Sequence, residues 1–536
     1  MEFDALYQPY PKSRYPLYAK NGVVCSSSPM ASSAGLRILQ KGGNAVDAAV
    51  AAAATLTVCE PTSNGIGSDA FAIVWMKDKL YGLNASGRAP GSISIDRVKQ
   101  LGHDSMPKRG WIPVMVPGAP KAWASLIKSF GNLSLKEVLE PAIEYASNGY
   151  AVGPVLSYLW NKYVSRAIGE YGDRKEYAEW FRTFTKEGRA PKAGDIVRFP
   201  DMAKSLSLIG DSDADAFYKG EIARKIDEQS KRDGGFLRYE DLSSYDVEWV
   251  DPISVNYRGY DVWEIPPNGQ GIVALIALNI LKNFDFQEKD HVDKYHKQFE
   301  AIKIAFADAI RFVSDPKEMK VDYEGFLKEE YGKYRASMID DTVKIYEGVD
   351  PASSGTVYLC SADREGNMVS YIQSNYMDFG SGIVIEDYGV SLQNRGYDFS
   401  LDPSKVNVLK PGKKSYHTII PGFLTKEGKA IGPFGVMGGY MQPQGHVQVI
   451  SNLLDFHLNP QACLDAPRWQ WQKNDRFIVE PRFDKMILEQ LRAKGHPIEV
   501  SENDFSYGRG QMILRRENDT YVAAAESRAD SNIASY

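Results

Sequence analysis

The 536-residue sequence contains little cysteine and little histidine, and this excludes several classes of protein. Its four cysteines (Cys25, Cys59, Cys360 and Cys463) are too few for a disulfide scaffold, and no two of them have C-x-x-C spacing. The seven histidines form no HExxH motif and do not cluster along the sequence. We therefore expect a protein without a metal site.

A large excess of one charge and a long apolar run are also missing. The chain has 63 Lys and Arg against 69 Asp and Glu, which argues against a nucleic-acid partner and against a polybasic membrane-surface protein. The longest apolar stretch, Ala45 to Cys59, contains Asp47 and is shorter than the ~20 residues that span a bilayer. The N-terminal segment has no apolar core of a secretory signal. We expect a soluble, cytoplasmic protein with no membrane partner.

The common nucleotide-binding and serine-hydrolase motifs are absent as well. The G-x-G triplets at 65–67 and 380–382 lack the strand-to-helix context of a dinucleotide site. The sequence has no P-loop and no G-x-S-x-G nucleophile elbow. We expect no cofactor.

Helices are predicted in the first part of the chain and strands towards its end. Gly42 and Gly43 end one helix, and Asn44 caps the next, with Asp47 in its first turn. The alanine-rich segment 48–54 predicts a helix that packs closely in a crowded core. A hairpin turning at 77–79 follows, and the later sequence alternates short strands with glycine turns. This order predicts packed layers of helices and sheets.

Two alternating segments joined by a glycine-containing turn predict a β-hairpin that begins near Thr356. If Asp363 pairs with Met368, then Thr356 faces Asn375 and has Ser374 as a diagonal neighbour. Two hydroxyls then lie together at the open end of the hairpin. On pattern alone, strand hydroxyls of this kind usually only bond to solvent or backbone.

An apolar strand ends later in the chain at Gly438 and Gly439. A backbone without Cβ can turn both N–H groups towards a ligand, and paired donors of this kind stabilise an oxyanion. The alternative is an ordinary glycine turn.

Several motifs occur together in the order found in the γ-glutamyltranspeptidase family. They are KGGNAVDAAVAAA, EPTSNGIGSDAF, GRAP, the SGT hairpin with the FGSG after it, and the later GG. The chain resembles this family from about Gly22 to Tyr536, and its GIGSDAF turn is similar to a divergent bacterial and archaeal branch.

The resemblance implies an α+β fold, the four-layer αββα sandwich of N-terminal nucleophile hydrolases. It also implies that one chain cuts itself between Gly355 and Thr356. The products would be an α-rich, substrate-binding segment 1–355 and a β-rich, catalytic segment 356–536, held together as one compact unit. The implied activity is hydrolysis or transfer of γ-glutamyl groups from amides such as glutathione.

The resemblance assigns the chemical step to four residues. Thr356 is the implied nucleophile, and its freed α-amine can serve as the base because its reference pKa is ~7.7–8.0. Ser374 stands where the family has a threonine that hydrogen-bonds the nucleophile. Gly438 and Gly439 match the glycines of the oxyanion hole.

The residues at the family's substrate-binding positions match the family pattern less well than the residues of the chemical step. Asp398 matches an acidic residue used on the substrate α-ammonium, and His417 and Thr418 stand where two serines are common near its carboxylate. Arg395 replaces a Gln or Glu, and Tyr376 replaces an Asn, so both are candidate substrate-binding residues with changed chemistry.

One substrate-binding arginine of the family is missing from its usual position. Ser86 stands there, and Arg88, two residues later, is the candidate to replace it. Because the changed residues lie at the substrate end, an amidohydrolase acting on a different acid (oxamate, or the glutaryl group of cephalosporin acylases) remains an alternative. An uncleaved, inactive relative that acts as a binding protein is the third possibility.

Overall fold

The computed structural model describes residues 1, 3–4, 6–11, 14–346, 355–472 and 475–536, and is built around two seven-stranded sheets. Sheet I contains, in spatial order, β21 (Asn532–Ser535), β2 (Gly22–Ser26), β10 (Gly355–Asp363), β11 (Met368–Tyr376), β3 (Asp69–Met76), β4 (Lys79–Ala85) and β7 (Glu248–Val250). All of its paired neighbours are antiparallel.

Sheet II contains, in spatial order, β1 (Leu17–Ala19), β20 (Tyr521–Ala525), β19 (Arg509–Arg515), β15 (Lys429–Met437), β14 (Gly422–Lys426), β9 (Tyr260–Glu264) and β8 (Ile253–Tyr257). Both sheets combine strands from before and after the predicted cleavage site. The segments 1–355 and 356–536 therefore share both sheets.

Side chains from the two sheets form a common apolar layer between them. Phe71, Tyr358 and Ile372 of sheet I pack in one cluster with Phe423 and Ile513 of sheet II. Alternate residues of each strand point to the opposite face, as the two-residue period of a strand requires.

Helices form a layer on the outer side of each sheet. The apolar core on the outer side of sheet I includes residues of α1 (Pro29–Gln40), α2 (Ala45–Cys59), α4 (Ala119–Phe130), α5 (Leu135–Asn148), α6 (Pro154–Tyr171), α7 (Ala178–Phe184), α8 (Pro200–Asp211), α9 (Asp215–Tyr218), α10 (Glu221–Arg232) and α11 (Tyr239–Ser243). The apolar core on the outer side of sheet II includes residues of α12 (Gly271–Leu281), α13 (Val292–Phe312), α14 (Glu329–Ala336), α15 (Met441–Leu454), α16 (Pro460–Asp465) and α17 (Lys485–Ala493). The predicted α+β, four-layer αββα sandwich is confirmed.

The remaining elements are short and lie outside the two main sheets. They are α3 (Ile95–Gln100), the pair β5 (Tyr150–Ala151) and β6 (Ile196–Val197), the pair β12 (Val384–Ile385) and β13 (Val390–Ser391), and a small sheet of β16 (Trp469–Trp471), β17 (Phe477–Val479) and β18 (Ile498–Val500).

The alanine-rich helix α2 shows why the sequence pattern was informative. Asn44 and Asp47 form the reciprocal capping box that satisfies the first N–H groups of this helix. All fifteen residues of α2 are buried, and it packs against α1, α5 and the hairpin β10–β11. Small side chains allow this close approach on several sides, so α2 supports the hairpin from behind.

No helix in the described part of the chain is both long enough and apolar enough to cross a bilayer.

Candidate active site

Thr356 lies near the start of β10, directly opposite Ser374 of β11. The predicted pairing, which placed Thr356 opposite Asn375, is wrong by one residue. The reason is the turn, where the Asp363 N–H donates to the carbonyl of Asn367 and leaves a loop of three residues rather than four. The two hydroxyls are therefore direct cross-strand neighbours, with their oxygens 2.9 Å apart.

The Ser374 hydroxyl oxygen connects both sides of the predicted cleavage site. It lies 2.9 Å from the Thr356 hydroxyl, 2.8 Å from the Gly355 carbonyl oxygen and 2.8 Å from the Tyr376 nitrogen. Ser374 has a single hydroxyl proton, and the carbonyl can only accept, so Ser374 donates to Gly355. It must then accept from the Thr356 hydroxyl. One side chain thus polarises the Gly355 carbonyl and holds the hydroxyl beside it.

Gly355 occupies a position with no room for a side chain. A Cβ there would lie 2.8 Å from both the Thr62 carbonyl oxygen and the Ser63 Cα, distances that real Cβ atoms essentially never show. The strand register also shifts between Gly355 and Thr356. A bulge of this kind re-aims the residues beside it.

Asp69, which the sequence analysis did not identify, continues the row of polar residues across sheet I. It begins β3 and pairs with Ser374, which pairs in turn with Thr356. The three share the strand face of Phe71 and Tyr358, so they point between the two sheets. Asp69 lies within the EPTSNGIGSDAF motif, but the motif gave it no role.

The Asp69 carboxylate accepts a hydrogen bond from His417. The His417 Nε2 lies 2.9 Å from Asp69 Oδ2, while its Nδ1 accepts from the Ile419 N–H at 3.4 Å, which leaves the ring proton on Nε2. Burial, with the charges of Arg395 and Lys414, lowers the pKa of His417 well below its usual value. His417 is therefore a neutral donor. Burial also raises the pKa of Asp69 to about 7, against the opposing charge of Arg395.

Arg395 is buried between two carboxylates. Its Nη1 donates to the Thr418 hydroxyl at 2.8 Å. Its Nε lies 3.6 Å from Asp69 and its Nη1 lies 3.7 Å from Asp398. The guanidinium lies over the ring of Tyr376, 4.0 Å from the ring centroid.

Tyr376 and Asp398 form a direct pair. The Tyr376 hydroxyl donates to the Asp398 carboxylate at 2.6 Å. Tyr376, the last residue of β11, takes a left-handed φ of 75°, which is unusual for a non-glycine residue. This conformation directs the tyrosine ring towards the carboxylate that the family pattern assigns to the substrate ammonium.

Gln270, also missed from the sequence, ties the glycine pair to the rest of the site. Its side-chain amide donates to the carbonyls of Thr418 at 2.6 Å and Gly439 at 2.8 Å. Gly438 and Gly439 follow β15 with φ values of 139° and 60°, which favour glycine. Within the described residues, neither glycine N–H donates to a backbone acceptor.

Arg88 makes its hydrogen bonds with residues outside this group. Its guanidinium donates to Asp315 at 3.1 Å, to Glu248 at 2.6 Å and to the Gly412 carbonyl at 3.1 Å. Among the described residues, none of these partners is a predicted site residue. The structure therefore brings Thr356, Ser374, Tyr376, Arg395, Asp398, His417 and Thr418 into one connected network, to which Gln270 joins Gly439, and leaves Arg88 outside it.

Two histidines that are 200 residues apart in the sequence lie together in the fold. His296 Nδ1 and His496 Nε2 lie 2.8 Å apart, and Glu300 is close enough for the three to be a conceivable metal-ligand set. The Lys303 ammonium is already paired with Glu300 at 2.6 Å. The His296 Nε2 donates to the Asp340 carbonyl at 2.7 Å, so this buried cluster has internal hydrogen-bond and ion-pair partners.

Comparison with known proteins connects this geometry to one family. Residues 31–536 match the family described as Gamma-glutamyltranspeptidase. The chain is 36% identical over 521 residues to the Glutathione hydrolase-like YwrD proenzyme of Bacillus subtilis (strain 168), covering 95% of this chain and 97% of that protein. It is 30% identical over 530 residues to the Oxamate amidohydrolase proenzyme of Klebsiella pneumoniae subsp. pneumoniae, covering 96% and 98%.

A solved structure is similar over the whole length. The crystal structure of cephalosporin acylase from Bacillus halodurans superposes with a TM-score of 0.95 at 52% sequence identity, covering 100% of this chain and 99% of that one. These similar proteins are named for different substrates, so their names indicate no single substrate for this chain.

Proposed function

The chain belongs to the γ-glutamyltranspeptidase family and is an enzyme, and we propose that it is a self-processing amidohydrolase and acyltransferase with an N-terminal threonine nucleophile. The observation that carries this proposal is the contact of one hydroxyl, that of Ser374, with both the Thr356 hydroxyl and the Gly355 carbonyl. Strand hydroxyls often bond to backbone, but the carbonyl that accepts here belongs to the peptide bond next to the Thr356 hydroxyl, the bond that the proposal cuts.

Self-cleavage proceeds in two steps in this proposal. The Thr356 hydroxyl oxygen bonds to the Gly355 carbonyl carbon, the C–N bond breaks, and the freed nitrogen takes the hydroxyl proton. Water then hydrolyses the resulting ester and releases the Gly355 carboxylate. The products are fragments of 355 and 181 residues. Ser374 supports the attack because it donates to the oxygen on which negative charge develops.

Cleavage also supplies the base for the later reaction. Before cleavage the Thr356 nitrogen is an amide and cannot accept a proton, whereas the freed α-amine can. The threonine then attacks a substrate amide, and the Gly438 and Gly439 N–H groups stabilise the oxyanion. The acyl group passes from the threonine ester to water or to an amine.

The first candidate substrate is a γ-glutamyl amide such as glutathione. Its support is the family membership and the glutathione hydrolase-like relative. The second candidate is an amide of a different acid, which the names of the oxamate amidohydrolase and cephalosporin acylase relatives favour. The presence of Thr356, Ser374 and both glycines argues against an inactive binding protein.

A denaturing gel of the purified full chain tests the proposal. The wild type should give two bands with mass ratio about 2:1 without added protease, and sequencing of the smaller fragment should begin at Thr356. Thr356→Ala should give one full-length band and no amidase activity, because the hydroxyl and α-amine act as one unit. Thr356→Ser is the matched control and should still cleave. A full-length wild type, or a Thr356→Ala protein cut at the same bond, would contradict the proposal.

A further inference from the structure

The guanidinium of Arg395 is buried, yet much of its donor capacity is unused. The side chain is 1% exposed, and its Nη1 donates to Thr418. Within the described residues, Nε and Nη2 have no hydrogen-bond partner. A guanidinium always carries its charge and five N–H donors, and leaving buried donors unpaired costs free energy. This position therefore suits a ligand that supplies acceptors.

The two neighbouring carboxylates balance the charge of Arg395 without using these donors. Asp69 lies 3.6 Å from Nε and Asp398 lies 3.7 Å from Nη1, both beyond ordinary N–H···O distances. Each carboxylate also accepts from a neutral donor, Asp69 from His417 and Asp398 from Tyr376. The guanidinium thus stays charged, and its Nε and Nη2 have no hydrogen-bond partner among the described residues.

The charge of Arg395 disfavours a substrate ammonium here. Asp398, the acidic residue of the family pattern, accepts from the Tyr376 hydroxyl at 2.6 Å through its Oδ1. Arg395 adds a positive charge 3.7 Å from the same carboxylate, and like charges brought together in a site cost several kcal/mol. A carboxylate, in contrast, matches the geometry of the guanidinium fork.

The sheet register sets the scale of the ligand. Asp69 and Thr356 are two strands apart in one row, so their backbones are about 10 Å apart. Arg395 Nε lies 3.6 Å from Asp69 Oδ2, so the guanidinium lies at the Asp69 end of this row. A glutaryl chain places about 5 Å between its reacting carbonyl carbon and its free carboxylate. A chain of this length suits the separation that the row sets between Thr356 and Asp69, once the side chains at both ends reach towards the ligand.

We propose that Arg395 binds the free carboxylate of an acyl group that lacks an α-ammonium, and that Asp69 positions Arg395 for this contact. The substrate class is the half-amide of a dicarboxylic acid of about five carbons. This inference rests on the proposed amidohydrolase function and names the acid that it takes.

The wild-type enzyme gives the first test, without any substitution. Hydrolysis of glutaryl and γ-glutamyl p-nitroanilide is compared by kcat/KM, and inhibition is compared for glutarate and butyrate. Glutarate should inhibit at least 10²-fold more strongly than butyrate, which lacks the distal carboxylate. Equal inhibition by the two acids, or a preference for the γ-glutamyl anilide above 10²-fold (about 2.7 kcal/mol), would overturn the inference.

Arg395→Gln is the second test, because it restores an amide of the kind that the family pattern has there. Its kcat/KM for the glutaryl anilide should fall at least 10²-fold, mainly through KM, while that for the γ-glutamyl anilide should fall much less or rise. Arg88→Gln should leave the ratio of the two values within about threefold of wild type. A ratio that shifts with Arg88→Gln and not with Arg395→Gln would move the carboxylate site to Arg88.

The gel separates failure of this inference from failure of the proposed function. If the wild type neither cuts itself nor hydrolyses either anilide, the proposed function fails. If the wild type cuts itself and hydrolyses both anilides, but Arg395→Gln has the same ratio of the two kcat/KM values as the wild type, only the assignment of Arg395 fails. Self-cleavage of Arg395→Gln would also show that this variant has folded. If the variant does not fold, the comparison of glutarate with butyrate on the wild-type enzyme still tests whether a distal carboxylate is bound.

Discussion

Asp69 and Thr356 lie in one cross-strand row of sheet I, on either side of Ser374. The proposed nucleophile and the carboxylate beside Arg395 are therefore held on the same sheet. In the proposed mechanism, self-cleavage uses the Thr356 end of this row and substrate recognition uses the Asp69 end. We expect substitutions at Asp69 to change the substrate preference and substitutions at Ser374 to change both reactions.

Ser374→Ala should slow self-cleavage and reduce kcat of any cleaved enzyme by about 10²-fold, because the variant loses the donor to the Gly355 carbonyl and the acceptor of the Thr356 hydroxyl. Ser374→Thr keeps the hydroxyl and should retain most activity. The measurements are the rate of band conversion on a gel and the single-turnover rate. Equal rates for the alanine and threonine variants would contradict this role of the hydroxyl.

Gly355→Ala should slow the proposed self-cleavage by at least tenfold, because the added Cβ would lie 2.8 Å from Thr62 and Ser63 and must displace the Gly355–Thr356 peptide bond. The rate is followed by a time course of newly made protein on a gel. Gly169→Ala is the matched control, since a Cβ at that helical glycine meets nothing within 4 Å. Normal cleavage in Gly355→Ala would show that the close packing does not position the bond.

The sequence predicted the hairpin and its two hydroxyls, because alternation and turn residues act locally. It missed the register by one residue, since Gly366, with φ of 85°, makes the loop one residue shorter than the predicted turn. The contact of Asp69 with His417 joins residues 348 apart in the chain. Nothing local in the sequence encodes that contact, and the contacts of Arg88 with Asp315 and Glu248 were hidden for the same reason.

Gly438→Ala should reduce kcat by about 10²–10³-fold with little change in KM, because φ of 139° is rarely available to alanine and the oxyanion donors would be re-aimed. Activity is measured on the cleaved enzyme, with KM and kcat determined separately. Gly428→Ala is the control for strain alone, since it has φ of 73° in the turn between β14 and β15 and open space around its Cβ position. A similar loss of kcat in both variants would point to general destabilisation.

The last prediction concerns pH and follows from the position of Asp69 beside Arg395. Burial raises the pKa of Asp69 to about 7, so its carboxyl group is mainly neutral below pH 7 and mainly ionised above it. The groups that face it are the neutral His417 ring, the charges of Arg395 and Lys414, the Gly87 N–H, and the buried hydroxyls of Tyr218 and Tyr245.

Protonation of Asp69 removes the negative charge next to Arg395, and a bound glutarate carboxylate supplies a negative charge in its place. Glutarate should therefore bind together with a proton, and its inhibition constant should fall about tenfold between pH 8 and pH 6, as expected for one group of pKa about 7. The carboxylates of glutarate stay ionised over this range, because free carboxyl groups titrate near pH ~4.

The Thr356 α-amine, with a reference pKa of ~7.7–8.0, also gains a proton in this range and could attract the same inhibitor. Asp69→Asn separates the two effects, since asparagine keeps the shape and the acceptor for His417 but does not titrate. In this variant the change in the inhibition constant should be less than about threefold. If the variant keeps the full tenfold change, the proton is taken up elsewhere and Asp69 does not control the charge beside Arg395.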